Sequence, residues 1–233
     1  MDPAFVLGAG CYVALQEALR PWLMDAYGTS NCGGTPCWRA SLVMLPQLVL
    51  MPLATMVAAS KHHSLWEWCD DCEKRGLRVA ARTTVYIFYA FLLLDLVYAY
   101  VMNGRPVVVL RRLMIDHHVI CLLGHLYATS FCPRGSQPCF VSAITCLEVG
   151  SALCNAFWLL KGTPQAFIGA LLYVVGMVIS NACTIVLVWC WNVRAREAGA
   201  HLLRRWPALA VTSVLLYLRQ AEVSKYVPGY GCS

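Results

Sequence analysis

Charge is what this sequence has least of. Asp, Glu, Lys and Arg make up 13% of its 233 residues, against about 25% in soluble domains. With 59% of the chain hydrophobic, too little polar surface is left to cover a soluble core, and the composition reads as a polytopic membrane protein. A P-loop, a dinucleotide glycine pattern and a G-x-S-x-G elbow are all missing, which removes nucleotide-driven transport and serine-hydrolase chemistry. Histidine is scarce as well. His62, His63, His117, His118, His125 and His201 are all there are, too few for the repeated His boxes of membrane di-iron oxygenases, so no metal and no resident cofactor are expected. No basic, aromatic-interleaved surface points to nucleic acid. The ending KYVPGYGCS carries neither a KDEL-type retrieval signal nor a C-a-a-X box.

Thirteen Cys are present, but many lie inside apolar runs, where Cys behaves as a small hydrophobe. The pairs Cys32 with Cys37 and Cys132 with Cys139 fall on opposite sides if every span crosses, so at most one of them is luminal. His62, His63, Cys69 and Cys72 form a separate group whose spacing matches no standard zinc finger, and they read as part of a polar surface segment.

Each crossing of a bilayer needs roughly 20 apolar residues. The first run, around Phe5 to Met24, lacks a basic n-region and contains Gln16, Glu17 and Arg20, so it reads as a retained span rather than a cleaved signal. Span two runs from about Arg39 to Ala59, with Pro46 and Pro52 predicting a kink. The charged segment from Lys61 to Arg82, with Trp66 and Trp68 suited to the headgroup zone, is a loop or surface helix. Further spans cover Thr84 to Met102, Leu113 to Phe131, Val141 to Leu160 and Ala166 to Trp191, the last long enough to tilt. The run from Trp206 to Leu218 is short for a crossing and reads as re-entrant or interfacial. The expected fold class is therefore an all-α membrane protein, a six- to seven-helix transmembrane bundle or barrel. With seven crossings, Lys and Arg number 10 on the side of the Lys61 to Arg82 segment and 8 on the other, a small bias for orientation.

Ionisable residues inside apolar runs mark the interior of such a bundle, because hydrocarbon is a poor solvent for charge. Counting inward at about 1.5 Å per residue, Asp95, Asp116, His117, His118 and Asn155 share one shallow layer, and His125 with Glu148 lie roughly 10 Å deeper. His118 and His125 are seven apart and share a stripe; Glu148, Ser151 and Asn155, at spacings of three and four, share another. Asp95 or Asp116 beside His117 or His118 makes a candidate general base or activated nucleophile. Buried His and Asp also serve simply to cross-link helices, as in a helix-packing or cargo protein of the secretory pathway that performs no chemistry.

Four segments together resemble the TLC-domain family, which includes the ceramide synthases. They are WRAS at Trp38 to Ser41, YAFLLLD ending at Asp95, the His117 and His118 pair, and LEVGSALCNAFWLLK from Leu147 to Lys161. The resemblance covers roughly residues 38 to 225, leaving residues 1 to 37 as a first helix with its polar loop and 226 to 233 as a tail. It implies a helical barrel around a lipid-accessible cavity in the endoplasmic reticulum or another endomembrane. It also implies membrane lipids and fatty acyl chains as partners, with homo-oligomers compatible. Residues 117, 118, 95 and 116 then stand as the catalytic candidates, and His125, Glu148, Ser151, Asn155 and Trp158 as those that contact lipid. Ceramide synthases transfer an acyl group from acyl-CoA to a sphingoid amine through their His pair and carry a downstream pair of Asp. This chain has no Asp after His118, which brings it nearer to the small TLC-domain proteins tied to lipid homeostasis.

Overall fold

The computed structural model describes residues 2–32, 35–101 and 108–224, without the side chains of 31, 35, 98–101, 108–117, 222 and 224. The described chain is helical apart from a two-residue antiparallel pairing of Asn31–Cys32 with Thr35–Pro36. We number the helices α1 (residues 3–27), α2 (Cys37–Ala59), α3 (Leu65–Arg75), α4 (Val79–Val101), α5 (Val108–Phe131), α6 (Gln137–Leu160), α7 (Ala166–Glu197) and α8 (Leu202–Ser224). Four helical stretches among the described residues are long and apolar enough to cross a membrane: Cys37–Ala59, Val79–Val97, Arg134–Leu160 and Ala166–Glu197. Large apolar side chains such as Phe167, Ile185 and Leu203 point outward from these and neighbouring helices, which suits hydrocarbon as the surrounding solvent.

Successive long helices run antiparallel, and the contacts at the two ends show it. At one end Asp2 caps the start of α1 through the Ala4 amide and receives Arg82 Nη1 at 3.0 Å and the Tyr86 hydroxyl at 3.1 Å. There too Arg194, near the end of α7, pairs with Asp70 of α3, and the Gly135 amide before α6 donates to Glu73 at 2.5 Å. At the opposite end Cys32 and Cys37 are joined as a disulfide and pack with Tyr27, Trp158 and Leu159. The residues 132 and 139 are not joined to each other. The Cys139 sulfur lies 3.5 Å from that of Cys69, and Cys132 donates to the Arg204 carbonyl at 3.6 Å.

Helix α3 is amphipathic, and its sequence explains where it starts and stops. Ser64 accepts from the Glu67 amide at 3.1 Å while Glu67 reaches back to the His63 amide at 2.8 Å, a variant of the capping box. Lys74 and Arg75 occupy its last turn, and Gly76 leaves it at φ +73°. Its apolar face, Trp68, Cys69 and Cys72, is buried against the ends of the long helices. The Lys61 to Arg82 segment is therefore a surface helix with its two flanks.

Pro46 does not break α2. It opens a π-turn, Pro46–Leu50, in which the helix takes in one extra residue and absorbs the missing amide. A second π-turn, Val6–Gly10, lies in α1. Close helix approach depends on small residues, as in other membrane bundles. A Cβ added to Gly8 would come within 2.8 Å of the Thr83 carbonyl, and one on Gly150 would collide with Ser180 and Arg219. The run from Trp206 to Leu218 lies in a longer helix than its apolar length suggests, because α8 starts at Leu202 and continues past Arg219. Around Phe88, Phe91, Phe140 and Trp191 the helices share an apolar core.

Candidate functional site

Toward the disulfide end, three buried ionisable side chains from three helices meet. Arg39, at the start of α2, is 3% exposed; Asp95 of α4 is 7% and His118 of α5 is 6% exposed. Arg39 Nη2 donates to the Asp95 carbonyl at 2.6 Å and also pairs with its carboxylate, while His118 Nδ1 stands 3.3 Å from the other carboxylate oxygen. Phe91 packs edge-on to the His118 ring at 5.7 Å between centroids. A carboxylate set between a guanidinium and an imidazole brings both of them within ion-pair distance of one negative charge.

A second group joins α2 to α6. Gln47, set in the π-turn, donates to Glu148 at 2.7 Å and accepts from Asn155 at 3.3 Å. Glu148 and Asn155 are seven apart, so one face of α6 carries both. Asn155 thus meets Gln47, where the depth count had grouped it with Asp95. Among the described residues no cation lies within ion-pair distance of Glu148.

The third group is built around Arg219, buried in α8. Its Nε donates to Asn181 at 3.1 Å, Nη1 to Ser151 at 2.6 Å, and Nη2 to the Leu147 carbonyl at 2.9 Å and to Ser180 at 3.3 Å. Asn181 also donates to Gln220 at 3.2 Å. Ser151 is therefore an acceptor for Arg219, which ties α8 to both α6 and α7.

His125 sits deeper. Its Nδ1 is 2.7 Å from the Tyr89 hydroxyl and its ring stacks on Phe140 at 5.5 Å, while Nε2 is buried with no hydrogen-bond partner among the described residues. His125 and Glu148 line the same cavity with Cys121 and Thr212; its volume is about 40 Å³. That is room for one or a few waters, not for an acyl chain. Trp158 lies at the disulfide end beneath Lys161 Nζ, 4.4 Å from its ring centre. The side chains of Asp116 and His117 lie outside the described residues.

At the other end His62 stacks on Trp68, and the His63 amide donates to Glu67. Among the described residues no three His, Cys, Asp or Glu side chains gather closely enough to hold a metal ion. Burial pushes the Cys72 thiol up to about 12, whereas the hydrogen bond from Cys139 lowers Cys69.

Sequence reasoning missed Arg39 as a buried partner, along with Gln47, Tyr89, Ser180, Asn181, Arg219 and Gln220. Gln47 and Asn181 were findable, since each is an amide in the middle of an apolar run. Arg219 and Gln220 were not, because they stand just past the end of one. Comparison with protein families, with curated proteins and with solved structures returns no match for this chain.

Proposed function

We propose that this chain is a multi-pass protein of TLC type that binds an acyl chain or a whole lipid inside a bundle of seven crossings, α1, α2 and α4 to α8. In this reading the lipid's polar group is met by the buried Asp95 and His118, with Glu148 deeper in the bundle. The observation that carries it is the Arg39–Asp95–His118 cluster. Three ionisable groups from three helices share one buried spot, and in membrane proteins such groups are rare and mark substrate and ion pathways. The roughly 40 Å³ cavity at His125 has to widen for an acyl chain to enter, so binding is coupled to helix movement. The disulfide end faces an oxidising compartment, and the end carrying α3 faces the cytosol. Among the described residues Arg39 and Arg219 on the disulfide side and Arg205 on the α3 side are buried, which leaves the positive bias with the α3 side. The endoplasmic reticulum fits both.

The test is lipid mass spectrometry of the purified protein. Wild type should retain a defined lipid that His118→Ala and Asp95→Asn lose while still folded; a wild type that carries only the bulk lipid mixture overturns the reading.

A second reading is acyl transfer, favoured by the one contact between Asp95 and His118 Nδ1. His118 Nε2 would take the proton from a lipid amine as its nitrogen forms a bond to the acyl-CoA carbonyl carbon. The carbon–sulfur bond then breaks, and the proton passes to the departing CoA thiolate. Incubation with acyl-CoA and a sphingoid base should give N-acyl product with wild type and none with His118→Ala. Equal product from both rules it out.

A further inference from the structure

A groove of about 510 Å³ opens between the first half of α1, the second half of α2 and the start of α4. It is separate from the buried polar layer, and its walls are apolar, formed by residues such as Leu7, Leu15, Leu50, Leu53 and Ile87. Leu7 and Leu53 are more than half exposed, so the groove faces the surrounding hydrocarbon rather than the bundle interior. Its volume falls within the roughly 300–1,000 Å³ of small-molecule sites.

Length and charge say what fits there. Along α2 the groove runs from Leu50 to Lys61, eleven residues or about 16 Å at the helical rise. That is close to half the roughly 30 Å thickness of the hydrocarbon core, the depth of one leaflet. Lys61 stands at its outer rim, exposed and just past the end of α2. Among the described residues it has no ion pair, whereas the neighbouring Arg78 is paired with Asp71 and Arg82 with Asp2, both at 3.0 Å. The rim therefore offers one uncommitted ammonium above a leaflet-deep apolar slot. The start of α1 is held against α4 by Gly8 on Thr83 and by the Asp2 contacts, so the slot's wall is a fixed part of the fold.

We infer that this groove binds one anionic phospholipid from the α3-side leaflet, with an acyl chain along Leu53 and Ile87 and the phosphate at Lys61. The inference needs only that the bundle is embedded in a membrane, and it stands or falls independently of lipid binding at His118.

The test is native mass spectrometry of the delipidated full-length protein in detergent, titrated with phosphatidylglycerol and with phosphatidylcholine carrying the same chains. One phosphatidylglycerol should bind about fivefold more tightly than phosphatidylcholine, the factor one basic side chain supplies at a charged surface. Lys61→Gln should remove that preference, and Lys61→Glu should reverse it. Ala54→Trp, which fills the slot, should weaken both lipids without lowering the melting temperature. His118→Ala should leave the phosphatidylglycerol preference and its loss in Lys61→Gln unchanged, whatever it does to lipid held in the bundle interior. Equal binding of the two lipids by wild type overturns the inference, as does a preference that survives Lys61→Gln. Because Lys61 is a surface residue, its variants remain informative even if Ala54→Trp fails to fold.

Discussion

Replacing Asp95 by Ala takes from Arg39 the carboxylate it pairs with. The guanidinium is 3% exposed and bonds both the carboxylate and the backbone carbonyl of residue 95; the substitution leaves it the carbonyl and takes away the charge. Two magnitudes compete for the outcome. Side-chain hydrogen bonds in membrane proteins average about 0.6 kcal/mol, whereas removing one partner of a buried ion pair costs about 3–5 kcal/mol. Arg cannot escape by deprotonating, so the second figure governs. At about 2–4 °C per kcal/mol for a chain of this size, Asp95→Ala should melt about 6–20 °C below wild type in detergent, followed by the fluorescence of the eight Trp. The double variant Arg39→Met with Asp95→Leu removes both charges and should recover most of the loss, because well-packed apolar groups replace buried ion pairs at little cost. An unchanged melting temperature in the single variant, or a double variant as unstable as the single, refutes the claim that charge holds this site together.

Two further outcomes follow from geometry elsewhere. Gly150→Ala should destabilise by about 1–3 kcal/mol, since its methyl group is forced onto Ser180 and Arg219. Gly10→Ala, where an added Cβ meets nothing within 4 Å, should be neutral or mildly stabilising, and equal melting temperatures for the two would contradict the tight α6–α7 crossing. The Cys72 thiol, raised to about 12 by burial, should hold about a thousandfold less thiolate at pH 8 than an ordinary thiol and so resist iodoacetamide in the folded protein. The neutral thiol is the form the fold prefers. Its contribution to stability is complete below about pH 9 and fades as pH climbs toward 12; rapid labelling at pH 8 would contradict this.

How much of this was legible in the sequence varied with the kind of signal. Long apolar runs locate the core of every long helix, because bilayer thickness imposes a length that composition alone can report. The meeting of residues 95 and 118 follows from counting depth along two adjacent helices. Counting falls short for Asn155, since depth says nothing about which neighbour it meets, and its hydrogen bond goes to Gln47 in the π-turn. It fails again for α8, where the apolar run ends before Arg219 but the helix continues, because its guanidinium finds acceptors on α6 and α7. Nor does hydropathy distinguish a polar residue that lines a space from one that fills it. Ser151 and Asn155 were read as lining and are engaged by Arg219 and Gln47.

The π-turn at Pro46–Leu50 sets the phase of everything after it in α2. Each residue advances an α-helix by about 100°, so the one extra residue taken in there decides which way the rest of the helix faces. Before and within the turn, Arg39 and Gln47 look toward Asp95 and Glu148. After it, Thr55 meets Thr84 at 3.1 Å and Thr145 at 2.9 Å, while Leu53 and Val57 line the outer groove. Deleting a single residue from the turn would leave Arg39 in register and swing the half of α2 nearer α3 by about a quarter of a revolution. The contacts of Arg39 with Asp95 on one side of the turn, and those of Thr55 and the outer groove on the other, are thus geared together by a single inserted residue.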